Sequence, residues 1–286
     1  MYYLIMFIAT IIFSSVAWVA NYAKVNSWSL YFLATLGYFI SFIIFSILCI
    51  IKRSSIFSKK LWADSIKPVL ILLLGTMLLN TAVSYTTPEK IGFFIGLTVI
   101  FVPIIEFILY RTKIPKLIYL SLLLAFLGNF ILNFNKMSYI FNFGDFLALA
   151  TSICYALSIV WISKCATVFS FEEFGFIQSI VSSIAYFILS FITHEIHSIT
   201  KNLPFFPLFF YGFCYYFFAN ALQFMAQKRL PSFISSLILA TQSIIGVIIG
   251  ILFFSFKLSV PICISALLFF SSSVVGIISN NRFNNS

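Results

Sequence analysis

Residues Thr86–Pro115 read TTPEKIGFFIGLTVIFVPIIEFILYRTKIP, and residues Leu230–Ser259 read LPSFISSLILATQSIIGVIIGILFFSFKLS. Each stretch has a proline near its start, a long apolar run, and then a polar break that holds a lysine. Lys113 and Lys257 stand 144 residues apart, and Pro88 and Pro231 stand 143 apart, close to half of the 286-residue chain. An apolar run of roughly 20 residues spans the bilayer core as a helix. The half-chain offset predicts two copies of one unit. If each copy holds five spans, an odd number, the second enters the membrane from the opposite face. That is the inverted-topology repeat found in many secondary transporters.

Composition agrees. The chain is 62% hydrophobic and only 8% charged, whereas soluble domains carry about 25% charged residues. So few charges cannot cover a surface that faces water, and in lipid they need not, provided that the backbone bonds within helices. The expected fold is therefore all-α, a polytopic membrane protein of ten helices in two inverted five-helix repeats. Apolar runs place the spans at Tyr2–Tyr22, Trp28–Ile51, Pro68–Tyr85, Ile91–Tyr110 and Leu117–Phe134, then Asp145–Ser163, Glu172–Thr193, Phe206–Ala226, Phe233–Phe254 and Val260–Ser279. The expected organisation is a first repeat over 1–135, a second over 143–279, and a polar tail over 280–286. No Lys or Arg precedes Lys24, so the first run is expected to be a span and not a cleaved leader.

The net charge of +10 comes from 17 Lys and Arg against 7 Asp and Glu. These basic residues stand in the breaks between apolar runs, which points to orientation by the positive-inside rule and away from nucleic acid. With the N-terminus inside, twelve of them fall on inner loops and the tail and five on outer loops (Lys24, Lys90, Lys136, Lys201 and Lys257). The bias predicts a multi-pass protein with both termini in the cytoplasm, most simply in a bacterial inner membrane. The five cysteines show no metal or disulfide spacing and read as small packing residues. Ser170 followed by Glu173 predicts a capping box for the seventh helix.

From Gly144 to Gln178 the chain reads GDFLALATSICYALSIVWISKCATVFSFEEFGFIQ. This resembles the start of the second EamA domain of the drug/metabolite transporter superfamily, with matches at Gly144, Asp145, Leu147, Ala148, Leu149, Tyr155, Ala156, Lys164 and Gln178. GLTVIFVPIIEFILYRTKIP resembles the fourth span of the first EamA domain, and LLLAFLGNFIL its fifth. The resemblance covers essentially the whole chain. It implies a transporter of amino acids, other metabolites or drugs, with a cavity lined by the third, fourth, eighth and ninth spans. The first and sixth spans would contribute, and the fifth and tenth would be peripheral. Two features depart from the family: the breaks RTKIP and SFKLS lack the frequent acidic residue, and the second span lacks the frequent arginine.

Chemistry has few places to sit. There is no phosphate-binding glycine loop and no HExxH or other metal-spaced set, so neither a cofactor nor a metal is expected. His194, Glu195 and His197 read as a solvated outer loop. A charge inside a membrane is functional by default. Glu106 is the carboxylate that lies well within a span, either paired with Arg111 or Lys113 or sensitive to protons beside a pathway. Asp145 reads as a helix-start cap, and Glu172 and Glu173 as capping and solvated residues. The other intramembrane polar groups are neutral, and they should face other helices or a wet cavity. Those expected to bind solute are Asn80, Thr98, Tyr155, Gln178, Asn220 and Gln242, with Trp18 as a belt or pore-lining aromatic. Gly92 with Gly96, and Gly246 with Gly250, form GxxxG pairs suited to close helix packing. The expected function is secondary transport of a small neutral or zwitterionic metabolite, or a drug, by alternating access. The alternatives are a membrane-embedded enzyme acting on lipid-linked substrates and a non-transporting partner subunit. The expected partners are a small-molecule substrate and the lipid bilayer, with no nucleic acid; the chain would be a monomer or a homodimer.

Overall fold

A computed structural model describes residues 1–25, 28–82, 84–112, 114–134, 141–193, 205–254 and 259–285. The elements are α1 (Tyr2–Val25), α2 (Leu30–Lys52), α3 (Lys59–Ala82), α4 (Pro88–Gly96), α5 (Thr98–Tyr110), α6 (Lys116–Phe134), α7 (Phe143–Val168) and α8 (Phe171–Ile192). They continue with α9 (Phe205–Phe209), a π-helical segment (Phe210–Ala219), α10 (Asn220–Gln227), α11 (Ser232–Ala240), α12 (Gln242–Phe254) and α13 (Val260–Asn285). Among the described residues, nine helical stretches are long and apolar enough to cross a membrane, and Tyr2–Ser15 of α1 is a shorter apolar helix. The fold is the expected all-helical one of ten crossings in two repeats. In it the fourth crossing is split into α4 and α5, the ninth into α11 and α12, and the eighth contains the π segment.

The helix ends obey local chemistry. Ser29 caps α2 by accepting from Phe32 N at 3.1 Å. Ser170 and Glu173 form the predicted capping box at the start of α8. Arg53 and Arg111 close α2 and α5 in the left-handed conformation, both with φ 53°, where cations also suit the helix C-terminus.

Several boundaries differ from those expected. α3 starts at Lys59, nine residues before Pro68, so Lys59, Lys60 and Lys67 lie on the helix and not in a loop. Pro68 has no N–H to give to the carbonyl of Asp64, four residues back. The Cys165 thiol of α7 donates to that carbonyl at 3.5 Å, which shows how a membrane helix tolerates an internal proline. Replacing Cys165 with alanine is expected to lower stability by about 1 kcal/mol, seen as a modest fall in Tm in detergent; an unchanged Tm would make the contact incidental. At the C-terminus α13 runs on to Asn285, with Asn280 buried, so most of the expected polar tail is helical.

Two compact units divide the chain. The first comprises Met1–Val69 and Lys164–Arg229, and the second Leu70–Ser163 and Leu230–Ser286. Neither coincides with a sequence half, since each takes helices from both repeats. In the first unit α2 packs on α8 and on the π segment, and α1 packs on α10. In the second unit α13 packs on α6, α5 on α11, and α4 on α6.

Candidate functional site

In the second unit both fourth crossings are broken. The interruptions are single residues, Leu97 with φ −65° and ψ −14°, and Thr241 with φ −67° and ψ −13°. They stand 144 residues apart, the offset already visible in the sequence. Leu97 N–H donates to Phe94 O and Thr241 N–H to Ile238 O, both at 3.1 Å. Each bond reaches back three residues where an α-helix would reach four. Each change of reach frees one carbonyl, Phe93 O or Leu237 O, from its α-helical donor within the membrane. Thr98 and Gln242 are the first residues after the two breaks.

The halves are tied together at a second level. Ser232 Oγ, in the first turn of α11, donates to Glu106 Oε2 on α5, and both residues are buried. Leu97 precedes Glu106 by nine residues, and Thr241 follows Ser232 by nine. The fourth and ninth crossings run in opposite directions, so this spacing puts the breaks at one depth, about 13 Å from the carboxylate.

α7 is the wall of this arrangement. Thr98 Oγ1 donates to Ser152 O at 3.3 Å. Thr151 Oγ1 donates to Gly75 O on α3 at 3.3 Å. Tyr155, one turn further on, lays its ring against Gly75, where a Cβ would meet ring carbons at 2.9 and 3.0 Å. Asn80 lies on α3 beyond Gly75. Asn80, Thr98, Tyr155 and Gln242 are all half-buried. Among the described residues the side chains of Asn80 and Gln242 have no hydrogen-bond partner.

At one end of the same unit is a buried ion pair that the sequence reading misplaced. Lys90 was expected in an outer loop. It lies on α4 with its side chain 3% exposed, 2.7 Å from Asp145 Oδ2, whose side chain is 1% exposed. Thr86 Oγ1 donates to the other carboxylate oxygen. Asp145 also plays the capping role expected of it: Asn142 N donates to Asp145 Oδ2 and Asp145 N to Asn142 Oδ1, each at 3.0 Å.

The first unit holds the remaining expected residues. Gln178 Nε2 on α8 donates to Asn220 Oδ1 at 3.3 Å. Asn220 follows the π segment directly, and its Nδ2 donates to Tyr215 O at 3.0 Å and Tyr216 O at 3.2 Å. Ser41 Oγ on α2 adds a bond to Tyr216 O at 3.1 Å. Wider π turns loosen the backbone ladder and recur at functional positions; here Asn220 and Ser41 bond its carbonyls, and Gln178 holds Asn220. Beside them Tyr38 stacks on Tyr216 with centroids 3.7 Å apart, and on Tyr186 at 5.6 Å. Gln178 and Asn220 are thus brought together, bonded to each other across helices. Trp18 lies in α1, and its side chain is outside the described residues, as are His194, Glu195 and His197. Glu172, expected to be solvated, is buried and ion-paired with Lys52 at 3.2 Å, while Lys52 sits 4.3 Å over the Phe171 ring.

A family model described as the EamA-like transporter family matches residues 1–134 and again 142–278. The chain belongs to the EamA-like transporter family. Among solved structures, one described only as "Crystal structure of protein" has a TM-score of 0.81 and 14% sequence identity, covering 99% of this chain and 98% of that chain. At that identity the likeness concerns the fold. No curated protein matches the chain.

The EamA-like resemblance rested partly on Gly144–Asp145, and the structure gives that pair a physical reason. A Cβ on Gly144 would lie 2.8 Å from Thr86 N and from Tyr85 C. Only glycine lets α7 lie on that backbone closely enough for Asp145 to reach Thr86 and Lys90. The GxxxG pair of α4 also packs closely, as expected: Asn133 lies over Gly92 and Asn129 over Gly96. These two asparagines on α6 were not singled out in the sequence. Their signal was present, two amides four residues apart in an apolar span.

Proposed function

We propose that this EamA-like protein is a secondary transporter that moves a small neutral or zwitterionic metabolite, or a drug of similar polarity, by alternating access. The observation that carries the reading is the pair of helix breaks, at equivalent positions of two repeats and at one depth. Discontinuous helices with bared backbone groups are the usual means by which transporters hold a solute at the membrane midplane. Thr98 and Gln242 stand at the breaks, Tyr155 lies on α7, and Asn80 lies on α3 packed beside it. Their chemistry is neutral hydrogen bonding plus one aromatic face, which suits a solute of low net charge. Gln178 and Asn220 act in the first unit by fixing the π segment. Both termini lie in the cytoplasm of a bacterial inner membrane in this reading.

The test is flux into proteoliposomes across a panel of amino acids and related small solutes. Gln242→Ala and Thr98→Val are expected to cut the transport of an accepted solute roughly tenfold, equivalent to ~1.4 kcal/mol, with little change in Tm. Wild-type flux retained in Gln242→Ala would remove the breaks from the site, and no flux for any solute of the panel would remove the transporter reading.

Glu106 supplies a coupling group in the same proposal. Its carboxylate is buried in the membrane and joins α5 to the first turn of α11, so its protonation changes the tie between the two broken crossings. Glu106→Gln is expected to keep solute exchange in the absence of a pH gradient and to lose acceleration by an imposed one. Equal acceleration in wild type and variant would exclude Glu106 as the proton carrier.

A further inference from the structure

At the first break Leu97 N–H turns to Phe94 O at 3.1 Å. In an unbroken α-helix it would bond to Phe93 O. Phe93 O is therefore released, inside the membrane, where an unpaired carbonyl is costly. Asn129 Nδ2, from α6, donates to that carbonyl at 2.9 Å. Asn129 is 1% exposed. Its own amide is held by Asn133 Nδ2, which donates to Asn129 Oδ1 at 3.1 Å and Asn129 O at 2.9 Å. Gly96 leaves the space for it, since a Cβ there would overlap the Asn129 amide.

The second break is held differently. Thr241 Oγ1 donates at 2.6 Å to Ile238 O, the same carbonyl that takes Thr241 N–H, so the interrupting residue holds its own tight turn. One break is local chemistry, whereas the other depends on a donor from a different helix.

We infer that Asn129 is a positioning residue that keeps the α4–α5 break in place, and with it Thr98 against Ser152. The inference rests on the transporter reading for its functional meaning, although the geometry stands apart from it. It gives α6, expected to be peripheral, a direct part in shaping the site. Without the Asn129 donor, Leu97 N–H recovers Phe93 O as its partner, the crossing straightens, and Thr98 rotates away from α7. Leucine has the same branched heavy-atom skeleton as asparagine and packs well in an apolar span, so packing alone gives no reason for two linked amides at this place.

The test is hydrogen exchange of the full-length protein in lipid nanodiscs, comparing the segment 93–101 with the segment 237–245. In Asn129→Leu, exchange in 93–101 should slow roughly fivefold, because Leu97 N–H trades the poorer three-residue bond to Phe94 O for a regular α-helical one, with 237–245 unchanged and transport reduced. Adding Leu97→Pro should return the segment to wild-type exchange and restore transport, because proline excludes the Leu97–Phe93 bond without help from Asn129. Leu97 already has the φ that proline requires. Asn129→Ser, too short to reach Phe93 O, serves as the second variant if the leucine protein does not fold. Unchanged exchange in 93–101, or equal changes in both segments, would overturn the inference and leave Asn129 a packing residue. Failure of the proline variant to restore transport while exchange returns to wild type would also remove the positioning role. If the wild-type protein moves no solute, the transporter reading fails, while the exchange result still decides what Asn129 does to the break.

Discussion

Lys90→Met and Asp145→Leu, made singly, are expected to destabilise the protein by about 3–5 kcal/mol each, a large fraction of a usual stability margin. Either change leaves one charge behind in a place almost closed to water, with side-chain exposures of 3% and 1%. In Lys90→Met the partners left to the Asp145 carboxylate among the described residues are neutral, the Thr86 hydroxyl and the Asn142 amide. In Asp145→Leu the Lys90 ammonium loses the Asp145 carboxylate, and α7 loses its reciprocal cap with Asn142. The double variant removes both charges, and replacing a buried pair with apolar groups is often neutral. It is expected to recover most of the loss, short of the cap. The measurement is Tm in detergent for the four proteins of the cycle, with strong positive coupling between the sites. Additive losses would mean that each residue acts through other partners.

Gly144→Val should yield no folded protein. The atoms that a Cβ would strike at 2.8 Å are backbone, Thr86 N and Tyr85 C, together with Thr86 Cβ. Backbone in a helix-to-helix turn cannot retreat by the required distance without moving α7 off its seat, which would also part Asp145 from Lys90. Overpacking in ordinary cores costs typically 1–3 kcal/mol, and this site adds the loss of the ion pair. Gly92→Ala is the control. There a Cβ lies 3.2 Å from Asn133 Oδ1, the end of a side chain, and alanine gains up to about 1 kcal/mol in helix propensity. Its Tm should stay within about 3 °C of wild type. Size-exclusion profiles in detergent read both outcomes. A monodisperse Gly144→Val protein with wild-type Tm would show that the close approach is not required.

The residues of the candidate site were legible to different degrees. Amides inside apolar spans are costly enough to mark themselves, so Gln178, Asn220 and Gln242 could be picked from letters alone. Their pairing could not: Gln178 meets Asn220 across 42 residues of chain, a distance about which local pattern is silent. The helix breaks were half-visible. The 144-residue echo located the segments that carry them, but Leu97 and Thr241 are not residue types that interrupt helices. Pro103, a residue type that does interrupt helices, sits inside α5 instead. Lys90 and Glu172 were placed in water because an apolar run gives no warning that a charge at its edge has a partner waiting, 55 residues away for Lys90 and 120 for Glu172. Asn129 carried the same mark, but its role was illegible, because its partner is a backbone carbonyl freed by a break that the sequence does not announce.

By itself the sequence determined the solvent, the number of crossings and the repeat, since these follow from composition and from periodic apolar length. It also determined where polar groups would be scarce enough to matter. The tertiary structure alone decided which charges are buried, where the two fourth crossings break, and which side chain holds each break. The reason is that the cost of a polar group in a membrane is set by its partner, and here those partners come from helices far away in the chain.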